Sequence, residues 1–331
     1  APPKLAHSAP AADSGQWQQD QFAISFWVDP IVNASDFPAR YAEIAAANFS
    51  VVLGGFGAKD RVSVQAQLDA AEANGLMAIP SSCNGGSGTP PGSYAGDCVN
   101  LTSKALWGWQ MKDEPNTQQF PQLATWSAAV AQASPGKLRF INLLPNYAQP
   151  NQYNASTYDA YVQEFMSVVK PDILCMDHYP YFEGDHANSS LNTSKAGYLR
   201  NLHTLRTAAQ AGGNIPFWNF FNILAFEGHL DPTEGELRWQ AFMSLAHGSS
   251  GLLYFLYWPA DDHSLQLGSG VIATRQAFTS AGNTGPVVLD LGRHYQQASR
   301  INSVLKVFGN KFFAKLLNWF LHRHFYDTQC G

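Results

Sequence analysis

Short apolar runs alternate along the chain with longer stretches of helical periodicity, and the order repeats from one end to the other. "FAISFWVDP" precedes "FPARYAEIAAAN", and "FSVVLGGFG" precedes "RVSVQAQLDAAEANG", whose glycine suits a helix C-terminal cap. "LMAIPSS" leads into a loop of Gly, Pro and Ser where a third helix would stand, and "LWGWQMKDEP" precedes "TQQFPQLATWSAAVAQASPG". "KLRFINLLPN", "PDILCMDHYPYF" and "IPFWNFFNI" are followed by "STYDAYVQEFMSVVK", "KAGYLRNLHTLRTAAQAGG" and "TEGELRWQAFMSLAHGSS". The last run, "GLLYFLYWP", reaches "LGRHYQQASRINSVLKVFG" through a glycine-rich loop.

Strands apolar along their whole length are buried on both faces, so the pattern predicts a single parallel (β/α)₈ TIM barrel of the α/β class. It spans residues 21–309, after an N-terminal segment 1–20 and before a C-terminal helical tail 310–331. A doubly wound open sheet is the alternative, but no glycine-rich phosphate loop opens any helix. In the tail, Phe312, Phe313, Leu316, Leu317, Phe320 and Leu321 form a helical stripe. A helix packed on the barrel exterior explains it, with a partner or lipid surface as the alternative.

Charged residues make up 14% of the chain against 45% hydrophobic, as in a globular protein with a large interior. The net charge of −5 is spread without basic blocks, so no nucleic acid or anionic membrane is expected as partner. No apolar run approaches the roughly twenty residues of a membrane span. The opening "APPKLAHSAPAADSG" reads as the residue of signal-peptide removal and predicts a secreted, extracellular protein. Sequons at Asn33, Asn48, Asn100, Asn154, Asn188 and Asn192 support a secretory route and predict glycosylation. Cys83 and Cys98 bracket the Gly/Pro/Ser loop, which predicts a disulfide worth about 3 kcal/mol by loop closure. Cys175 reads as a buried free thiol, and Cys330 has no evident partner.

In such a barrel the C-terminal strand ends converge on one mouth, where reacting groups sit. The polar residues expected there are Asp29, Asp113, Glu114, Asn146, Asp177, His178, Asn219 and Asn222, with Asp261, Asp262 and His263 after the last strand. Aromatic residues accompany them, among them Trp27, Trp109, Tyr147, Tyr179, Trp218, Tyr257 and Trp258. Carboxylates, amides and rings together suit a sugar, whose hydroxyls take polar partners and whose C–H faces stack on rings. Glycoside cleavage needs an acid for the leaving oxygen and a second group on the other side. Glu114 is the acid candidate, because the apolar run before it would desolvate its carboxyl and raise its pKa. Pro115 cannot donate to a ladder and stops the strand there.

Simpler roles compete. Asp113 or Glu114 could be an acidic helix start, and Asp177 could pair with Lys112 or Arg139 as a structural ion pair. No cofactor is implied, no Cys/His set has zinc spacing, and no G-x-S-x-G elbow is present.

At these residues the chain resembles the barrel glycoside hydrolases, most of all clan A, in which a glutamate ending the fourth strand is acid/base and one ending the seventh is nucleophile. "KDEP" carries the first role to Glu114. The seventh strand departs from the pattern, with Asn222 near the expected place and Glu227 further along. The Asp113–Glu114 pair is also similar to that of the β-N-acetylhexosaminidases of families 20 and 123. There the substrate's acetamido oxygen attacks, the aspartate orients it and the glutamate protonates the leaving group. A strand aims neighbours to opposite faces, so such a pair requires a twist or bulge. "RWQAFMSLAHGSSGLLYFLYW" is similar to the last helix–strand passage of many barrel hydrolases, which implies substrate binding by Tyr257 and Trp258. The expected function is a glycoside hydrolase with Glu114 as acid and Asp113, Asp177 or Glu227 in support. Trp27, Asp29, Trp109, Asn146, His178, Tyr179, Trp218 and Asn222 would bind the carbohydrate. A carbohydrate-binding barrel without catalysis is the competing expectation, motivated by Asn222.

Overall fold

The computed structural model describes residues 16–30, 36–54, 57–58, 60–81, 98–182, 191–257, 270–274 and 289–309. Its parallel strands are β1 (Ala23–Phe26), β2 (Val51–Leu53), β3 (Met77–Ile79), β4 (Gly108–Asp113), β5 (Leu138–Asn142), β6 (Leu174–Asp177), β7 (Phe217–Asn222) and β8 (Gly251–Phe255). Parallel ladders join β8 to β1, β2 to β3, β4 to β5, β6 to β7 and β7 to β8. Bridges at Ala78–Leu106, Ser81–Gln110 and Leu143–Met176 link the β3/β4 and β5/β6 sides. Between β1 and β2 a side chain stands in for part of the ladder. The Ser50 N–H donates to the Ile24 carbonyl at 3.0 Å, and the Ile24 N–H donates to Ser50 Oγ at 2.9 Å. Hydrogen bonds thus run from strand to strand around the ring of an α/β barrel, as the alternating pattern predicts.

The helices are α1 (Phe37–Ala46), α2 (Arg61–Ala73), α3 (Phe120–Ala133), the single turn α4 (Pro150–Tyr153), α5 (Tyr158–Val169), α6 (Leu191–Ala211), α7 (Glu234–Ala246) and α8 (293–309). A short antiparallel pair, β9 (Ala273–Thr274) and β10 (Leu289–Asp290), precedes α8. Local sequence sets the helix ends. Asp60 and Ser63 form a reciprocal capping box on α2, and Thr233 and Glu236 do the same on α7. Gly75, at φ +67°, follows the end of α2 as the sequence predicts. Between β3 and β4 the described residues contain no helix, and most of that connection lies outside them.

The N-terminal end of the barrel is closed by indole rings. Trp107 stacks on Trp218 with centroids 5.6 Å apart, and Trp17 meets both edge-on at 5.3 and 6.3 Å. Trp218 Nε1 donates to Gln19 Oε1 at 3.0 Å, and Gln19 Nε2 donates to the Ser250 carbonyl at 2.7 Å. The stretch before β1 therefore seals the base. This corrects the expectation for Trp218. It occupies the first half of β7, fully buried beneath the barrel, and is no sugar platform.

Gly251 makes that packing possible, since a Cβ there would lie 2.5 Å from Trp218 Cγ. Gly251→Ala is expected to destabilise the barrel by about 1–3 kcal/mol through overpacking, measured by urea unfolding. A buried ion pair ties the same end together. The Arg139 guanidinium grips Asp172 through two nitrogens, its Nε at 2.7 Å from Oδ2, and also reaches Ser127 Oγ at 3.0 Å.

Candidate active site

Strand β4 carries a bulge near its end. Gln110 pairs with Phe140 and Lys112 with Ile141, so Met111 is the extra residue. Bulges re-aim the side chains that follow. Asp113 pairs with Asn142, and the Glu114 N–H still reaches the Asn142 carbonyl at 2.9 Å before the chain turns at φ +45°. That conformation is strained for a side chain with a Cβ, and such strain survives only where the surroundings hold it. Here Pro115 ends the ladder, and its carbonyl accepts from Tyr161 Oη at 2.7 Å. Neighbouring residues that a regular strand would aim apart are brought into one cluster.

Asn142 Nδ2 donates to Asp113 Oδ1 at 3.0 Å, and the Asn142 side chain also acts on Asp177, opposing its upward shift. Asp177 and Glu114 are close enough that each shifts the other's titration. Burial raises Asp177 well above the carboxylate range, and the charges of Glu114 and Asp113 raise it further. Glu114 is also raised by burial, while Asp177 pulls it down and the charge of Glu227 pushes it up. Both carboxyls are thus held above their ordinary range. Glu114 opens to solvent at the mouth above this protein-filled floor, whereas Asp113 and Asp177 are half-buried. A carboxyl that a ligand can touch is backed by one that stores a proton.

Asp113 is pushed up to about 7, first by burial and then by Glu114, against the opposing Asn142 bond and Lys112 charge. With its folded-state pKa raised, its contribution to stability is complete below the ordinary carboxylate range and is lost as pH rises through about 7. Melting temperature is accordingly expected to fall between pH 5 and pH 8, and Asp113→Asn to fall less over that interval, by calorimetry at both pH values.

The loop after β7 brings Glu227 back to this cluster. Phe226 and His229 exchange backbone hydrogen bonds around Glu227 and Gly228, at φ +41° and +79°. Positive φ at both central residues is the geometry of a type I′ turn. Glu227 is exposed at its tip, and its charge acts on Glu114 and on Tyr147. Two of the alternative roles for the carboxylates, the helix start and the pairing with Arg139, do not hold. Asn116 caps the turn at Thr117–Gln119 before α3, so neither Asp113 nor Glu114 starts a helix, and Arg139 pairs with Asp172 and not with Asp177.

Several expected binding residues are committed elsewhere, which corrects their assignment. Asp29 is buried and accepts from the Gly57 N–H at 2.9 Å and from Gln67 Nε2 at 2.8 Å. Trp109 points out of the barrel, its Nε1 donating to Ser134 Oγ at 3.0 Å at the end of α3. Asn146 Nδ2 donates to the Gly197 carbonyl, and His178 bonds Asn201 Oδ1 through Nδ1 at 3.0 Å. Burial lowers His178 to about 4, so it is neutral at ordinary pH. Asn222 is buried and donates to the Leu230 carbonyl, and Asn219 Nδ2 bonds Tyr198 and Ser244 on the helices outside. Tyr257 lies buried against Phe26, centroids 4.4 Å apart, under α1 and not at the mouth.

Trp27 is half-buried at the mouth end of β1, edge-on to Phe220, and Tyr179 packs against Phe226 and Phe255 beside the carboxyls. Trp258, Asp261, Asp262 and His263 lie outside the described residues. So do Cys83, Asn33, Asn188 and the side chain of Asn192. Cys98 is disulfide-bonded and Cys175 is a buried free thiol. Asn100 and Asn154 are exposed and Asn48 is half-buried. Among the described residues no group of three His, Cys, Asp or Glu side chains is arranged to hold a metal ion, and no helix is long and apolar enough to cross a membrane.

Sequence reasoning missed Asn142. It set the polar end of β5 four residues too late, at Asn146, although Asn142 is the polar residue closing "KLRFIN".

A (β/α)₈ barrel with a carboxyl cluster at its C-terminal mouth defines the class. Solved structures agree at the level of fold. One is provisionally described as an alpha-L-fucosidase from Bacteroides thetaiotaomicron VPI-5482 (10% identity, 77% of this chain and 92% of that one, TM-score 0.51). Another is the endo-beta-1,4-mannanase of Thermotoga petrophila (9% identity, 86% and 76%, TM-score 0.52). A 3-deoxy-D-arabino-heptulosonate 7-phosphate synthase from Thermotoga maritima also aligns, at 12% identity over 88% of each chain and a TM-score of 0.45. No protein-family model and no curated protein sequence matches the chain. The likeness is one of fold alone, and the chemistry has to come from the site itself.

Proposed function

We propose that this protein is a glycoside hydrolase that cleaves O-glycosidic bonds of an oligo- or polysaccharide, with Glu114 giving the proton to the leaving oxygen. The Glu114–Asp177 pair at the ends of β4 and β6 carries the assignment. A donor must hold its proton at mild pH and still be reachable, and Glu114 meets both needs with Asp177 behind it. Glu227 suits the opposing role, because an exposed carboxylate at the mouth can attack the anomeric carbon or steady its positive charge.

The bulge that brings Asp113 beside Glu114 favours a second reading, in which the acetamido oxygen of a 2-acetamido sugar attacks and Asp113 orients it. Glu227→Gln separates the two. A loss of about 10³-fold in turnover is expected if Glu227 is the nucleophile, and little change if the substrate supplies its own. The class itself is tested on a panel of neutral, acidic and 2-acetamido oligosaccharides. Release of new reducing ends supports hydrolysis, whereas binding without any product supports a non-catalytic carbohydrate-binding barrel.

The chain is further proposed to be a secreted glycoprotein with Cys98 paired to Cys83. The disulfide-bonded state of Cys98 and the exposure of Asn100 and Asn154 support this. Peptide mass mapping after secretory expression checks both.

A further inference from the structure

Among the described aromatic residues Tyr147 and Phe308 are the exposed ones, and Phe308 lies near Gly309, which packs on Phe22 at the barrel base. Tyr147 stands at the opposite end, 40% exposed, on the loop after β5. Its ring is held firmly. It meets His178 at 4.8 Å and Phe182 at 5.9 Å, both nearly perpendicular. Phe182 in turn tilts onto His229 at 4.1 Å, and His229 stacks on Phe226 at 4.4 Å. Phe226 and His229 are the residues that close the Glu227 turn, so a continuous run of rings leads from Tyr147 to that carboxylate. His178 directly follows Asp177 at the end of β6, so the contact with His178 sets the Tyr147 ring on the carboxyl side of the mouth, where the charges of Asp177, Glu114 and Glu227 reach its hydroxyl.

We propose that Tyr147, braced by His178 and Phe182, is the stacking wall of a subsite that seats the apolar C–H face of an uncharged pyranose next to Glu114. This rests on the hydrolase reading and adds a substrate class to it. A rigid exposed ring offers a sugar face large contact at small entropic cost. The surrounding carboxylates repel an anionic sugar, so a uronate is disfavoured where a neutral hexose is accepted.

The test is steady-state kinetics of Tyr147→Leu and Tyr147→Phe on a neutral oligosaccharide cleaved by the parent, and on its uronate counterpart. Tyr147→Leu is expected to raise KM roughly tenfold with kcat within about threefold, and Tyr147→Phe, which keeps the ring, to restore KM. The parent is expected to prefer the neutral substrate. Circular dichroism and melting temperature report whether each variant is folded. Should Tyr147→Leu unfold, oligosaccharide affinity of Tyr147→Phe and Tyr147→Trp in the Glu114→Gln background, by calorimetry, takes its place. Retention of affinity in both supports the wall, and its loss in Tyr147→Phe overturns it. An unchanged KM in folded Tyr147→Leu, or a preference for the uronate, overturns the subsite while leaving hydrolysis by the parent intact. A parent that releases no product from any glycan overturns the hydrolase reading, and the subsite with it.

Discussion

Glu114→Gln is expected to lower kcat/KM on an unactivated glycoside by about 10²–10⁴-fold, the usual contribution of a positioned general acid. Glutamine keeps the shape and the solvent-exposed position of the side chain but has no acidic proton to give. Stability should change little, because Glu114 caps no helix and fills no core. The loss should depend on the leaving group. An aryl glycoside whose phenol departs without help should be cleaved nearly as fast as by the parent in the bond-breaking step, while an alkyl or sugar leaving group should not. A uniform loss across leaving groups would assign Glu114 to binding. Full activity on all of them would remove it from the chemistry.

The largest effect on stability is expected at Asp172. Its side chain is fully buried, Arg139 is only 17% exposed, and the pair joins the starts of β5 and β6 to Ser127 on α3. Asp172→Ala leaves a guanidinium with no counter-charge in a site that water scarcely reaches, and should cost about 3–5 kcal/mol. The double variant Asp172→Ala with Arg139→Met removes both charges and should recover part of the loss, since the pair's own net contribution is small. Chemical unfolding of the parent, both single variants and the double variant measures the coupling. Additive losses would show that the two residues act independently.

The barrel was legible because its strands are buried on both faces, and a run such as "PDILCMD" or "IPFWNFFN" has no other use in a globular chain. The site was half legible. Polar residues closing apolar strands stand out, and Asp113, Glu114 and Asp177 were found that way. What the pattern hides is direction. Trp109 and Asp113 lie on one strand, yet one faces α3 and the other the mouth, with a bulge at Met111 between them. Trp218 lies on β7 and Tyr257 two residues past β8, strands whose ends the sequence could not mark to the residue, and the structure puts one at the base and the other under α1. Glu227 reaches the mouth through a turn of only two residues, whose positive φ angles are carried by a glutamate and a glycine. "FEGH" hints at such a turn only through its glycine.

The central claim concerns the proton that the neighbouring carboxyls Glu114 and Asp177 retain at mild pH. Carboxyl-carbon NMR titration of the free protein, with Asp113→Asn, Glu114→Gln and Asp177→Asn to assign the signals, reads it directly. The account predicts that Glu114 and Asp177 titrate as a coupled pair, retaining one proton well above the ordinary carboxylate range, with Asp113 at about 7 and a single step left when either partner is replaced. Three independent titrations at ordinary carboxylate values would contradict it.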